Sequence, residues 1–283
     1  MSEVVISASD VKNLRDQTGA GMMDCKKALT EAGGDFEKAV EFLRKQGQKL
    51  SVKRADRDAK EGAVIALTSH NKNKGIIIRL SCETDFVAKN EGFVALAREI
   101  AEIALKETPA STEDLLNCSY NGSISIGEKI TEYLAAIGEK VEVASYEQII
   151  TNAGEGQVLP YIHAGNRAGV IVALNLEGPQ YEEAGRNIAM QVAAMKPLAL
   201  DKDGIDSSIV EKEIEIGKEQ ARAEGKPEAM LEKIALGKLN KFYQENTLTS
   251  QTYVKDGKMT VAEYLQSIHK DLKVTAFKHV ALG

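Results

Sequence analysis

Three cysteines and four histidines are the side chains of this 283-residue sequence best suited to nucleophilic or metal chemistry. A cysteine beside a histidine could act as an acyl-transfer nucleophile, and clustered Cys and His could hold zinc. Their spacing supports neither. Cys25, Cys82 and Cys118 are odd in number and widely separated, so neither a CxxC metal site nor a disulfide framework is indicated. His70, His163, His269 and His279 never fall at metal-ligand intervals. Asp24-Cys25-Lys26 sets a thiol beside a lysine, but no base accompanies it. A small α+β hydrolase using Cys82, Asp85 and a histidine can be written down, yet nothing puts a histidine beside them. No GxSxG, HExxH, P-loop or GxGxxG segment occurs. The chain reads as a non-enzyme that needs no metal or cofactor.

One segment has a composition suited to contact instead. Ser81-Cys-Glu-Thr-Asp-Phe-Val-Ala-Lys-Asn90 follows the apolar run GIIIRL at 75–80, which reads as a strand. Such connections usually take only a few residues. The plain structural reading is a long loop in which Thr84 or Asp85 caps the next helix and Phe86 staples onto it. The functional reading is a projecting tip with Phe86 as the anchor for a protein partner.

The surrounding elements follow from periodicity. Residues 7–46 read as three short helices: Ser9 or Asp10 caps the first, Gly19 to Gly21 break it, and Gly33-Gly34-Asp35 separates the second from the third. One of Met22 and Met23 is expected in that small core with Ala28 and Leu29; the other is free to offer a soft contact surface. The charged stretch 48–61 reads as a linker or exposed helix. Beyond it the chain repeats itself. At an offset of 94, Glu61-Gly62 matches Glu155-Gly156, Val64 matches Val158, Gly75 matches Gly169 and Leu80 matches Leu174. Each copy reads as strand, turn, strand, then helix. Arg98 and Ala101 match Arg186 and Ala189 at an offset of 88, so copy one is six residues longer before its helix. The surplus falls in SCETDFVAKNEG. Lys140-Val141 and Lys273-Val274 match at 133, which gives copy two about 45 extra residues before its last strand.

Those extra residues read as a helical hairpin: helices at 207–224 and 229–246 joined by Gly225-Lys-Pro-Glu228, with Ile209, Ile214 or Ile216, and Ala221 facing Met230, Ile234 and Leu239. Pro227 is expected just inside the second helix. The expected architecture is α+β: a helical N-terminal domain (1–47), a linker (48–61), one core subdomain carrying the loop (62–150) and a second (151–283) carrying the hairpin (206–246). Each subdomain is expected to hold a three-stranded antiparallel sheet. With 42 acidic and 36 basic residues the formal charge is −6, which argues against a general nucleic-acid binder. MSEVVISASD lacks the basic and apolar regions of a secretory signal, and no apolar stretch approaches membrane-span length, so reducing cytosol is the expected compartment.

Leu14-Arg15 with Thr18-Gly-Ala-Gly-Met-Met-Asp-Cys-Lys-Lys-Ala-Leu29 resembles the N-terminal signature of the bacterial elongation factor Ts family, and Thr84-Asp-Phe-Val-Ala-Lys-Asn90 resembles its second signature. AMQVAAMKP at 189–197 is similar to a third, less specific block. The resemblance implies a UBA-like three-helix N-terminal domain, two related subdomains, and a coiled-coil hairpin. It also implies guanine-nucleotide exchange on elongation factor Tu. Thr84, Asp85, Phe86 and Val87 would then disturb the magnesium site of that GTPase, the phenylalanine wedging between two helices. Arg15, Met22 and Met23 would grip the same GTPase domain, and His163 would touch another domain. The resemblance leaves open a homodimer or a heterotetramer with elongation factor Tu, and implies no direct nucleic-acid or membrane partner. Two departures are visible: some members carry a further C-terminal helix, and KVEVASY at 140–146 lacks the arginines often found in that strand. The alternative class is a UBA-like adaptor that captures protein ligands without exchange activity, which would have no use for the second signature.

Overall fold

The computed structural model describes residues 6–283; residues 1–5, counted in the expected N-terminal domain, lie outside the described residues. The chain begins with a three-helix unit, α1 (Ala8–Thr18), α2 (Met22–Glu31) and α3 (Phe36–Arg54). Ser7, rather than Ser9 or Asp10, caps α1: its hydroxyl accepts from Asp10 N while the Asp10 carboxylate accepts from Ser7 N, each at 3.1 Å. Asp10 is thus the reciprocal partner in the box. Neither Met22 nor Met23 is buried, contrary to expectation. Cys25, Ala28 and Leu29 form the inward stripe of α2, against Val11, Leu14, Ala39 and Leu43. Met22 begins the helix one turn before that stripe, and Met23 points elsewhere. The third helix is not short. It runs through the first half of the charged stretch to Arg54, and Glu61 already belongs to the first strand.

Two antiparallel sheets follow. The first contains β1 (Glu61–Thr68), β2 (Lys74–Cys82) and, after α4 (Asp85–Ala88), α5 (Glu91–Glu107), α6 (Thr112–Asn117) and α7 (Ile126–Ile137), the strand β3 (Val141–Ile150). The second contains β4 (Gln157–Ile162), β5 (Ala168–Leu174) and, after α8 (Glu182–Met195), α9 (Ser207–Ala223), α10 (Glu228–Asn246) and α11 (Val261–Ile268), the strand β6 (Val274–Ala281). This is the α+β class expected. Among the described residues no helix is long and apolar enough to cross a membrane.

The repeat reaches down to backbone conformation. Gly62 and Gly156 both hold positive φ, 152° and 127°; Lys72 and Asn166 hold φ of 58° and 55° in the two hairpin turns. Thr108 and Lys196, 88 apart, end α5 and α8 at φ of 46° and 47°. A β-bulge follows Arg79 in one sheet and Ala173 in the other. The third strands, however, are equivalent at Val143 and Val274, which lie opposite Leu80 and Leu174. The expected Val141–Val274 match is two residues out, because β2 and β3 both run longer in copy one: Ser81 pairs with Glu142 and Cys82 with Val141. The insertion in copy two is correspondingly two residues shorter than expected.

The sheets pack face to face through Val64, Ala66 and Ile77 against Val158, Ile171 and Ala173. The contact is reciprocal. A Cβ on Gly75 would lie 2.4 Å from Val158 Cγ1, and one on Gly169 would lie 2.9 Å from Val64 Cγ1. Helices cover the outer faces: α5 and α7 bury Phe93, Ile100 and Ile126 over the first sheet, and α8 buries Ile188 and Val192 over the second. Gln191, in the third resemblance block, is wholly buried and bonds Gln251 Oε1, Thr252 O and Val254 N at 3.2, 3.1 and 2.9 Å, which anchors the base of the insertion. Helices α9 and α10 form the expected hairpin along a narrower seam. Gly217 and Ala221 meet Leu231, Ala235 and Leu239, whereas Ile209 and Met230 are exposed. Gly217 permits the close approach, since a Cβ there would stand 3.1 Å from Ala235 Cα. Pro227 occupies the cap position of α10 rather than its first turn.

Candidate functional site

The six-residue surplus of copy one resolves into two parts. Strand β2 continues past Leu80 through Ser81 and Cys82, whereas β5 stops at Leu174, the equivalent of Leu80. The remaining four residues are the single helical turn α4, Asp85–Ala88. Thr84 caps that turn, its hydroxyl accepting from Val87 N at 3.4 Å. Glu139 grips the cap from outside: its two carboxylate oxygens accept from Thr84 N at 3.1 Å and Thr84 Oγ1 at 2.8 Å. Val87 and Ala88 pack on the core of the first sheet. Phe86 does not staple onto α5. Its neighbour Val87 takes the inward direction, about 100° away on a helical turn, and Phe86 is 84% exposed. An aromatic ring held out on a turn whose other residues are capped and packed is a poor core residue and a good anchor.

Asp85, beside it, pairs with Lys89 one turn on (Oδ2–Nζ 2.6 Å), and this bond holds its carboxyl below the usual carboxylate range. The carboxylate is therefore charged at neutral pH. Cys82 lies beneath the turn, wholly buried, with its thiol donating to Thr84 O at 3.2 Å. Burial, reinforced by the Glu139 carboxylate, pushes that thiol up to about 12. Relative to an ordinary thiol, the thiolate fraction at neutral pH falls by about 10³-fold. Buried and bonded to Thr84 O, the Cys82 thiol is not presented as a nucleophile, which removes the support for the hydrolase reading. Thiol reagent at pH 8 should modify Cys118, which is half-buried, long before Cys82; peptide mapping that finds Cys82 labelled first would contradict this picture. Among the described residues no group of three or more His, Cys, Asp and Glu could hold a metal ion.

The other expected site residues lie on elements that contact those around this turn. Arg15 lies in the last turn of α1 and Met22 and Met23 in the first turn of α2, all exposed, Met23 at 75%. Gly19, between them, is left-handed at φ 71° and lies next to Ala136 near the C-terminal end of α7; a Cβ there would stand 3.8 Å from that of Ala136. The turn after α7 carries Glu139, the residue that holds Thr84. His163 is exposed at the tip of the β4–β5 hairpin, its Nδ1 3.2 Å from the Tyr161 hydroxyl. That tip reaches the open end of β1 through Arg167, whose guanidinium lies 3.5 Å from the Glu61 carboxylate; Glu61 pairs with Cys82. Two residues that hold the turn, Glu139 and Arg54, were not singled out from the sequence. Neither carries a local signal, since Glu139 meets Thr84 across 55 positions.

Comparison with known proteins gives the family of the chain. A family model described as elongation factor TS matches residues 83–283, opening two residues before Asp85. Elongation factor Ts of Christiangramia forsetii is 50% identical over 278 residues, covering 98% of this chain and 99% of that protein. The elongation factor Ts proteins of Amoebophilus asiaticus and Cytophaga hutchinsonii are 49% and 51% identical over 281 and 279 residues, each covering at least 98% of both chains. With a family model over more than half of its length and relatives at this identity from end to end, the chain belongs to the elongation factor Ts family.

Proposed function

We propose that this protein is a guanine-nucleotide exchange factor that binds GDP-bound elongation factor Tu and speeds GDP release during translation elongation in the cytoplasm. The observation that carries the reading is Phe86, exposed on a capped and externally gripped turn that the second copy of the repeat lacks. In this reading the ring inserts beside the nucleotide site, backed by Asp85 and positioned by Thr84 and Val87. The partner holds GDP through charge, by phosphate contacts and Mg²⁺, so a small displacement of that shell weakens the nucleotide strongly. The factor makes and breaks no covalent bond and supplies no cofactor. It works by linkage: a protein that binds the nucleotide-free state more tightly lowers nucleotide affinity by the same factor.

Magnitudes apportion the work. An approximately 10⁴-fold shift of such an equilibrium needs about 5.5 kcal/mol of differential binding. Burying one phenylalanine contributes about 1.5–3 kcal/mol. Phe86 therefore does not act alone. Arg15, Met22 and Met23 of the N-terminal unit (1–47) hold the GTPase domain, His163 of the second core unit (151–283) holds another domain, and the turn in the first core unit (62–150) deforms the site. The test is release of fluorescent GDP from purified elongation factor Tu under an excess of unlabelled GDP. Release should accelerate with added factor and saturate; an unchanged rate at excess factor would overturn the reading.

A further inference from the structure

Helix α3 touches three things in succession. Its first half closes the N-terminal core through Ala39 and Leu43. Its middle lies on α7: Arg44 Nε bonds Glu132 Oε1 at 3.1 Å, and Gly47 approaches Thr131 so closely that a Cβ would sit 3.1 Å from its carbonyl oxygen. Its last residue, Arg54, donates to Glu83 Oε1 at 2.7 Å. Glu83 stands two residues before Asp85. The same Glu83 oxygen accepts from Lys140 N at 2.6 Å, and Lys140 Nζ returns to the chain just after α3, donating to Ala55 O at 2.9 Å and Arg57 O at 3.2 Å. Lys140 follows Glu139, which grips Thr84. The end of α3, the turn after α7 and the base of α4 thus form one closed network, while both helices brace one another higher up. At 19 residues α3 is a rod of about 28 Å.

We propose that Arg54 is a positioning residue for exchange: it latches the end of α3 to Glu83 and so fixes the distance between the Arg15–Met22–Met23 corner and the Phe86 tip. Through this latch, the seat of the N-terminal unit on the partner sets where the ring lands. The network has the character of a fixed joint rather than a surface ion pair. Arg54 and Glu83 are both largely covered, and Glu83 is shared by a backbone N–H and a guanidinium. Burial alone would raise the Glu83 carboxyl; the Lys140 N–H and Arg54 outweigh it and hold it below the usual range, so the joint stays charged throughout neutral pH.

This rests on the exchange reading, and two measurements keep the two apart. Arg54→Met preserves the aliphatic stem and removes the guanidinium. In the free factor, hydrogen exchange over residues 83–90 should rise by about tenfold or more in Arg54→Met and return towards the parent value in Arg54→Lys, which keeps the positive charge and a donating nitrogen. In GDP release, Arg54→Met should lower the rate at saturating factor by about tenfold while the half-saturating concentration moves less than about twofold, because the contact surfaces remain and only their spacing loosens. A parent protein that fails to accelerate release would sink the exchange reading and leave the hydrogen-exchange result to decide the latch. Unchanged protection of 83–90, or a loss confined to the half-saturating concentration, would overturn the latch. Should Arg54→Met not fold, Arg54→Lys compared with Arg54→Gln gives the same two readings.

Discussion

Phe86→Ala should slow GDP release from elongation factor Tu by about 10–100-fold at saturating factor, and should weaken complex formation far less. The size follows from the ring. Its burial against the partner is worth about 1.5–3 kcal/mol, and each 1.4 kcal/mol is about tenfold in rate. The asymmetry follows from when that burial happens. An interaction made only as the nucleotide site is deformed lowers the maximal rate, whereas one made equally in every complex lowers affinity alone. Because the ring is 84% exposed in the free factor, its removal should change folding stability by no more than about 0.5 kcal/mol. Equal losses in rate and affinity would show that Phe86 is only an anchor, and the turn would then need another role.

The second large effect concerns the scaffold. Gly62→Ala and Gly156→Ala should each destabilise the protein by about 2–6 kcal/mol, summing the strain of a positive φ with a forced steric shift. Both glycines sit where the chain enters a sheet, and an added Cβ would stand 2.1 Å from Leu80 O in the first and 1.9 Å from Leu174 O in the second. Leu80 and Leu174 lie beside the bulges that aim the third strands, so opening either strand pair disturbs its whole sheet. Thermal melting should fall by several degrees for each, since about 1 kcal/mol shifts the midpoint of a chain this long by roughly 2–4 °C or less. If the repeat is as close as its geometry indicates, the two losses should be similar. A neutral result at either position would mean that the entry to that sheet is not fixed as described.

Those glycines also mark what could be read before any coordinates. Residues that must be glycine for steric reasons recur at fixed intervals, so Gly62 with Gly156 and Gly75 with Gly169 exposed the repeat, whereas the packing of one sheet on the other emerges only from the structure. Helix α2 and the α9–α10 hairpin were legible from the spacing of their apolar residues, and α5 from its match to α8 in the repeat. Misreadings arose where two neighbouring residues could each satisfy the pattern. Met22 and Met23 gave way to Cys25 as the inward residue, and Ser9 and Asp10 to Ser7 as the cap. The third-strand register was two residues out because the extension of β2 by Ser81 and Cys82 is matched only across the sheet, by Val141 and Glu142. The exposure of Phe86 was undecidable for a related reason: Phe86 and Val87 are both apolar, and only packing shows that Val87 turns in. The grip on the turn was invisible altogether. Glu139 and Arg54 reach Thr84 and Glu83 from distant positions, and such side-chain bonds leave no periodicity behind.

The central claim is that the factor trades its own binding against that of the nucleotide. It is tested most directly by measuring the affinity of elongation factor Tu for this protein twice, without nucleotide and with saturating GDP. The mechanism predicts much tighter binding to the nucleotide-free partner, by a factor equal to the loss of GDP affinity at saturating factor and on the order of 10⁴. Equal affinity for the nucleotide-free and GDP-bound forms would contradict it, however tightly the two proteins bind.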